Sequence, residues 1–497
     1  MRFDYGDGTL LLHDAPDTVP YGEWDDRVDK YRSQAYRYRA LLEWANQGTD
    51  SDEQTTLRDG FTHEIENTAR AYPDLGLTPA LQIEPRDFQQ GALDAWRNHD
   101  RRGTVVFPTG SGKTFLGLQA IADAGVGTLV VAPTIDLLNQ WHATLTNAFG
   151  DQLGESVGVL GDGSHEIAAL TVTTYDSAYR YIDADGDQFG LLIADEVHHL
   201  PAPTYLQIPE TILAPYRLGL TATYERAEDR HDLLEDRMEP VVYEEGVDDL
   251  VGEYLSEYET IQMSVDLTTE ERTEYDEESQ LYRDYVDSHD FDLWKERGYK
   301  EFLKRTSYDP QGRRAPIAKQ RAERIARTAT KKLETLDNLL KRHHDARVII
   351  FTANHDFAYD ISREFILPCI THTVGYKRVK SFDTPWCRNP LRSYSQQYHQ
   401  TDTDERTEIL NRFRTGEYSM LATSQVLDEG IDVPAANVGI ILSGSASNRQ
   451  YAQRLGRILR PTDDRQPARL HEIIATDTME RYVSQRRRDG VTASADS

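Results

Sequence analysis

The chain has 497 residues, with 55 Lys+Arg against 84 Asp+Glu and a formal net charge of −29. At about 100–200 residues per domain, this length accommodates three or four domains, and a hydrophobic content of 38% excludes global disorder. No apolar run reaches the roughly 18 residues of a membrane-spanning helix, the N-terminus has no apolar signal region, and two cysteines, Cys369 and Cys387, cannot build a disulfide framework or a four-cysteine zinc site. The expectation is a soluble, cytoplasmic, multidomain protein.

Residues 1–80 hold 16 Asp+Glu against 8 Lys+Arg, with short turn-bounded apolar runs such as Thr9-Leu-Leu-Leu, and predict a small strand-containing unit. Between Trp24 and Trp44, Arg27, Lys30, Arg32, Arg37 and Arg39 interleave with Tyr31, Tyr36 and Tyr38. The spacing predicts an amphipathic helix with snorkelling arginines, the other reading being a nucleic-acid face. From 81 to 245 apolar strands alternate with helical segments: Thr104-Val-Val-Phe, Thr128-Leu-Val-Val-Ala, Ala169-Leu-Thr-Val-Thr and Leu191-Leu-Ile-Ala. Buried parallel strands read this way, with function in the loops at their carboxyl ends. A second series follows near 346, with Ala346-Arg-Val-Ile-Ile-Phe, Ser419-Met-Leu-Ala-Thr and Val438-Gly-Ile-Ile-Leu, and predicts a second α/β unit over 246–487. Between the two series, about 265–330, lies a helical, charge-rich stretch; residues 295–342 carry 15 Lys+Arg against 6 Asp+Glu, a basic island in an acidic chain. The tail 488–497 is small and polar and is expected to be disordered.

Phe107-Pro-Thr-Gly-Ser-Gly-Lys-Thr114 follows an apolar strand and precedes a helical segment, the setting that a phosphate-binding loop requires. Thr109, Gly110, Ser111 and Gly112 would close backbone amides around the phosphates of ATP, Lys113 would place a point charge at the β/γ-phosphates, and the Thr114 hydroxyl can ligate Mg²⁺. Phe107 stands where the usual pattern has its first glycine. Asp195-Glu-Val-His198 ends another buried strand, so Asp195 can hold Mg²⁺ and Glu196 can orient or deprotonate the attacking water. His198, His199 and the cysteines show no zinc-ligand spacing.

These signatures, taken in order, resemble those of superfamily 2 nucleic-acid helicases over about 85–465. The resemblance implies an α/β fold with two tandem RecA-like parallel-sheet motor domains and a set of site roles. Arg86-Asp-Phe-Gln89 is similar to the adenine-reading motif, with Arg86 and Gln89 at the nucleotide. Pro133-Thr134 and Thr173-Thr174 are similar to the loops that grip a strand backbone. Leu220-Thr-Ala-Thr223 is similar to the motif coupling hydrolysis to movement, through Thr221, Thr223 and His198. Residues 422–434 resemble the fifth motif, with Thr423 on nucleic acid and Gly430 and Asp432 at the nucleotide, and Gln453-Arg-Leu-Gly-Arg-Ile-Leu-Arg460 resembles the sixth. Arg457 and Arg460 lie three apart, on one face if helical, and with Gln453 would complete the catalytic set from the second domain; a transition-state arginine contributes about 10³–10⁵ in rate.

Within the superfamily, Asp-Glu-Val-His-His-Leu-Pro-Ala and Thr-Ala-Thr-Tyr-Glu-Arg are most similar to archaeal relatives of the xeroderma pigmentosum group B (XPB) repair helicase. That resemblance implies DNA as partner (duplex, forked or damaged), a separate nuclease or a transcription or repair partner, a basic helical thumb at about 265–330, and a small N-terminal domain sensing distorted DNA. The family's Arg-Glu-Asp motif is matched by Arg226 and Glu228-Asp229 with Ala227 intervening. Rival readings are an RNA-directed motor on the same fold, a non-catalytic distortion sensor with ATP as structural ligand, and the motor of a restriction-type nuclease, for which no nuclease motif is present.

One segment departs from the family pattern. Residues 373–399 carry Lys377, Arg378, Lys380, Arg388 and Arg392 against Asp383, interleaved with Tyr376, Phe382, Trp386, Tyr394 and Tyr398. Cations among aromatics suit single-stranded nucleic acid, where a stacked base contributes about 1–3 kcal/mol; the alternative is a surface loop without a role. The acid-rich, lysine-poor composition, 11 of the 55 cations being lysine, reads as adaptation to a salty solvent and says little about the partner. If Lys377, Arg378 and Trp386 touch DNA, deleting 373–399 weakens DNA binding in a fluorescence-anisotropy titration; unchanged affinity and unwinding identify a bystander loop.

Overall fold

Turn-bounded apolar runs become the strands of three sheets. The computed structural model describes residues 1–16, 18–47, 65–79, 84–108, 110–161, 163–222, 236–238, 240–246, 258–289, 291, 296–309, 312–371, 405–424, 436–443, 468–481 and 484. The chain divides into two compact units, Met1–Gly246 and Val247–Ser497.

The first unit opens with a sheet of order β3-β4-β2-β1-β5, made by β1 (Arg2–Gly6), β2 (Thr9–His13), β3 (Gly22–Asp25), β4 (Lys30–Gln34) and β5 (Glu66–Asn67), followed after β4 by helix α1 (Tyr38–Gln47). The single amphipathic helix expected between Trp24 and Trp44 is therefore corrected: the segment is the β3–β4 hairpin followed by a shorter helix. Asp25 accepts from Arg27 in the turn, Asp29 takes a left-handed φ of 54°, and Trp24 packs edge-on against Tyr31 at 5.2 Å across the strand pair. Cross-strand aromatic pairing outweighs helical periodicity here. The apolar face of this sheet, with Phe3, Leu10 and Leu12, closes over Leu213 of the adjoining α/β layer. The Tyr5 hydroxyl reaches the carbonyls of Asp183 at 2.8 Å and Thr211 at 2.7 Å, and Tyr36 donates to Asp236 at 2.9 Å.

The α/β layer contains α2 (Asp87–Asn98), β6 (Arg102–Val106), α3 (Lys113–Ala124), β7 (Thr128–Ala132), α4 (Ile135–Phe149), β8 (Gly158–Gly161), β9 (Ser164–His165), β10 (Leu170–Thr174), α5 (Tyr175–Tyr181), β11 (Leu191–Asp195), α6 (Gln207–Thr211), β12 (Tyr216–Thr221) and β13 (Val241–Glu244). Its sheet runs β13-β6-β12-β11-β7-β10-β8-β9 and is parallel apart from the β8–β9 pair. β7, β10 and β11 are buried at every position, as strands covered on both faces must be, which is why they read as unbroken apolar runs. Parallel pairing puts the carboxyl ends of β6, β7, β10, β11 and β12 at one edge.

The second unit is built on a wholly parallel sheet, β14-β19-β18-β15-β17-β16, of β14 (Tyr258–Val265), β15 (Val348–Phe351), β16 (Cys369–Ile370), β17 (Met420–Thr423), β18 (Val438–Ile441) and β19 (Ala468–Ala475). Between β14 and β15 come α7 (Thr269–Ser288), α8 (Glu296–Tyr308), α9 (Arg314–Arg327) and α10 (Thr330–Arg342). A reciprocal cap starts α7: Thr268 accepts from the Glu271 N–H and Glu271 accepts from the Thr268 N–H. The charge of this insertion is not uniform. α7 has eight Asp+Glu against two Arg, α9 has five Lys+Arg against one Glu, and the two helices pack together with Arg321 paired to Glu278 at 2.9 Å. One lysine of the basic island, Lys332, is fully buried and donates at 2.6 Å both to the Leu442 carbonyl and to Glu480. Among the described residues no helix is long and apolar enough to cross a membrane.

The same unit buries a histidine pair, His343 and His471, with their Nε2 atoms 3.1 Å apart. Burial pushes His471 down to about 4, helped by His343, Arg342 and Arg469, and burial likewise lowers His343. A group that ionises less readily when folded than when unfolded contributes stability that is complete above the ordinary histidine value and is lost as pH falls toward the folded value. Wild-type protein is expected to lose thermal stability between pH 6.5 and 4.5 more steeply than His471→Phe, followed by circular dichroism; parallel curves contradict the assignment.

Candidate active site

The phosphate-loop candidate leaves β6 through Phe107, which is fully buried with its ring edge-on to Phe88 at 5.1 Å and to Tyr243 at 5.9 Å. That aromatic packing accounts for a residue other than glycine at the start of the loop. Gly110 and Gly112 then take φ of 85° and 98°, left-handed conformations that side chains resist. Gly112 precedes α3, so Lys113 and Thr114 occupy its first turn. The Lys113 ammonium donates to the Phe107 carbonyl at 3.3 Å and stands 3.9 Å from Glu196 Oε1.

Gln89 is buried beneath this loop. Its Oε1 accepts from the Arg86 N–H at 3.1 Å and its Nε2 donates to the Ser111 carbonyl at 2.7 Å. The two backbone groups fix the orientation of the amide, because one can only donate and the other can only accept. Gln89 thus braces the loop, while Arg86 lies exposed at the start of α2.

Asp195 ends β11 and Glu196 follows it, both buried. Asp195 Oδ2 accepts from Trp141 Nε1 at 2.8 Å and Oδ1 from the Glu196 N–H at 3.0 Å. Burial, reinforced by the charge of Glu196, pushes the Asp195 carboxyl up to about 6. Glu196 adopts a left-handed φ of 48°, uncommon outside glycine, and begins the turn that carries His198. His198 Nδ1 is 3.0 Å from the Thr221 hydroxyl, which is 3.5 Å from Glu196 Oε2, and the Thr221 carbonyl accepts from the Phe107 N–H at 2.9 Å. Loop, carboxylates and the end of β12 are thereby joined through Thr221.

At the neighbouring strand ends, Thr134 caps α4 by accepting from the Leu137 N–H at 3.3 Å, and Thr174 caps α5 by accepting from the Ser177 N–H at 3.2 Å. Pro133 is half-buried beside Thr134. Thr173 and Thr423, expected at nucleic acid, are both fully buried, and their hydroxyls donate to the Leu160 and Ser424 carbonyls at 2.8 Å. Trp141 and Tyr175 are the residues that motif reading passes over. Tyr175 directly follows Thr174 and donates from its hydroxyl to the Asp195 carbonyl at 2.9 Å, and Trp141 lies two helical turns beyond Thr134. Thr109, Thr223, Arg226, Lys377, Arg378, Trp386, Gly430, Asp432, Gln453, Arg457 and Arg460 lie outside the described residues.

The donor set suits a hard cation bound together with phosphate. Lys113 stands beside Glu196, and a further cation would hold the neighbouring buried Asp195 carboxyl ionised. Among the described residues no group of three or more His, Cys, Asp or Glu could hold a metal ion. At Gly112 an added Cβ would fall 2.5 Å from Gln89 Nε2, on a backbone that is already left-handed. That conformation costs about 1–2 kcal/mol for a non-glycine residue. Gly112→Ala is expected to weaken ATP binding about tenfold by isothermal titration with the far-ultraviolet spectrum unchanged; wild-type affinity would refute the loop geometry.

Three families match successive parts of the chain: "Xeroderma pigmentosum group B helicase damage recognition domain" at residues 3–51, "Type III restriction enzyme, res subunit" at 82–226, and "ERCC3/RAD25/XPB C-terminal helicase" at 392–493. The chain is 34% identical to the DNA 3′-5′ translocase XPB2 of Sulfurisphaera tokodaii, over 97% of its own length and 98% of the relative's. It is 27% identical to the DNA 3′-5′ helicase XPB of Mycobacterium tuberculosis, over 93% and 72% of the two chains. Among solved structures, a variant of S. cerevisiae Dbp5 bound to RNA and ADP BeF3 aligns with a TM-score of 0.52 at 13% identity, covering 82% of this chain and 87% of that one, a likeness of fold alone. With RecA-like sheets in tandem and a relative matched almost end to end, the chain belongs to the XPB family of DNA helicases and translocases.

Proposed function

We propose that the chain is an ATP-driven DNA translocase and helicase, acting in DNA repair or transcription with 3′-to-5′ polarity. One observation carries the reading. At a single sheet edge of an XPB-family chain, Lys113 of the phosphate loop stands 3.9 Å from Glu196, and Glu196 is tied through Thr221 and His198 to the strand that leads into the coupling motif.

In this reading the backbone from Thr109 to Gly112 and the Lys113 ammonium hold the β- and γ-phosphates. Thr114 and Asp195 hold Mg²⁺, which when bound neutralises phosphate charge. Glu196 orients the water and takes its proton, and Arg457, Arg460 and Gln453 with Gly430 and Asp432 complete the site from the second unit. Gln89 reaches adenine by exchanging its Ser111 bond. Pro133, Thr134 and Thr174, the backbone at Thr173 and Thr423, and Arg226 take the DNA backbone, joined by Lys377, Arg378 and Trp386. His198, Thr221 and Thr223 couple hydrolysis to movement. The acidic α7 leaves the remaining cations of α8–α10 to face DNA. A nuclease or a transcription or repair factor is a further partner.

The test is ATP turnover across duplex, forked and single-stranded DNA and RNA. Stimulation by DNA over RNA is expected; the reverse order overturns the DNA assignment. Glu196→Gln should bind ATP normally and turn over on the order of 10²–10⁴-fold more slowly, the usual contribution of a general base. Wild-type turnover in that variant would remove Glu196 from the chemistry.

A further inference from the structure

We propose that Trp141 and Tyr175 are positioning residues through which the two strand-gripping loops of the first unit set the orientation of Asp195 and Glu196. The inference rests on the reading of those loops and carboxylates given above.

Each aromatic belongs to a helix that begins at a gripping loop: Trp141 to α4, capped by Thr134, and Tyr175 to α5, capped by Thr174. Both are buried, at 1% and 2% exposure, so neither can touch a nucleic acid strand itself. Both direct their single polar hydrogen at the same residue. Trp141 Nε1 donates to Asp195 Oδ2 at 2.8 Å, and the Tyr175 hydroxyl donates to the Asp195 carbonyl at 2.9 Å.

The two bonds do different work. With the Glu196 N–H on Oδ1, the indole N–H on Oδ2 fixes the plane of the carboxylate and leaves its remaining lone pairs in a defined direction. The tyrosine holds the carbonyl of the Asp195–Glu196 peptide, the plane from which the φ of Glu196 is measured. That φ is 48°, a left-handed conformation that a glutamate keeps only when its surroundings impose it. Tyr175 thereby fixes the backbone from which the Glu196 side chain departs.

Trp141 also touches the phosphate-loop helix: a Cβ added at Gly117 of α3 would lie 2.6 Å from the indole ring. One side chain thus spans the helix that starts at a gripping loop, the carboxylate, and the helix that follows the phosphate loop. A shift of α4 or α5 when a strand is gripped moves a donor against Asp195, and packed interiors pass on such shifts instead of absorbing them. A reacting group misplaced by about 1 Å can lose 10²-fold in rate.

Trp141→Phe keeps a ring and removes the donor; Tyr175→Phe removes the hydroxyl alone. In the full chain, the ratio of DNA-stimulated to DNA-free ATP turnover is expected to fall about tenfold in each variant, while DNA affinity by anisotropy and nucleotide affinity stay within about twofold of wild type. A simple loss of folded protein lowers both turnovers together and leaves the ratio unchanged. A wild-type ratio in Tyr175→Phe, which conserves volume and should fold even if Trp141→Phe does not, overturns the proposal. Glu196→Gln in parallel separates the two levels: if it abolishes turnover while the aromatic variants keep the ratio, the coupling fails and the assignment of the carboxylates stands.

Discussion

Two carboxylates at the end of a strand covered on both faces place a demand on everything near them. An ionised carboxylate inside a protein neutralises or finds partners. Asp195 answers with an indole donor and a backbone donor, and Glu196 has the Lys113 ammonium within 4 Å and the Thr221 hydroxyl at 3.5 Å. The parallel sheet makes this concentration possible, because its parallel strands deliver their carboxyl ends to one edge and the partners are drawn from different elements.

The N-terminal sheet is bound to this scaffold by main-chain acceptors. Tyr5 reaches two carbonyls near the start and end of the segment that includes β11, and Leu213, just beyond α6, enters the small sheet's core. Arg217 of β12, fully buried, is held within the α/β layer by the carbonyls of Ala214, Ile212 and Arg237 and lies 5.9 Å from the ring of Tyr36 in the N-terminal part. Hydrogen bonds to backbone depend on the path of the chain more than on partner side chains, so this junction has the properties of a core and makes Met1–Gly246 one compact unit.

Much of this was legible in the sequence, for identifiable reasons. Strands buried on both faces announce themselves as continuous apolar runs, and Thr104-Val-Val, Thr128-Leu-Val-Val-Ala and Val438-Gly-Ile-Ile all fall in strands. The strand–loop–helix setting of 107–114 and the place of Asp195 and Glu196 at the carboxyl end of β11 were legible because motifs of this kind tolerate few alternatives at fixed spacing. The β3–β4 hairpin at the start of the Trp24–Trp44 segment was not, since aromatic and basic residues recur there at intervals that fit a helix almost as well as two short strands. The insides of Thr173, Thr423 and Gln89 were not either: a motif names a position, while whether a hydroxyl faces a ligand or a neighbouring carbonyl depends on strands far away in sequence. Trp141 and Tyr175 escaped because a buried aromatic normally signals core, and only the partner of its single hydrogen distinguishes it.

The helical insertion of the second unit sets an acidic helix, α7, against a basic one, α9. Summed, such a pair is nearly mute, yet two opposite charge densities held side by side form an electric dipole. In the field of a polyanion such a pair experiences a torque even though its summed charge is small. What the basic island gives up to its acidic neighbour in attraction, it keeps as a direction.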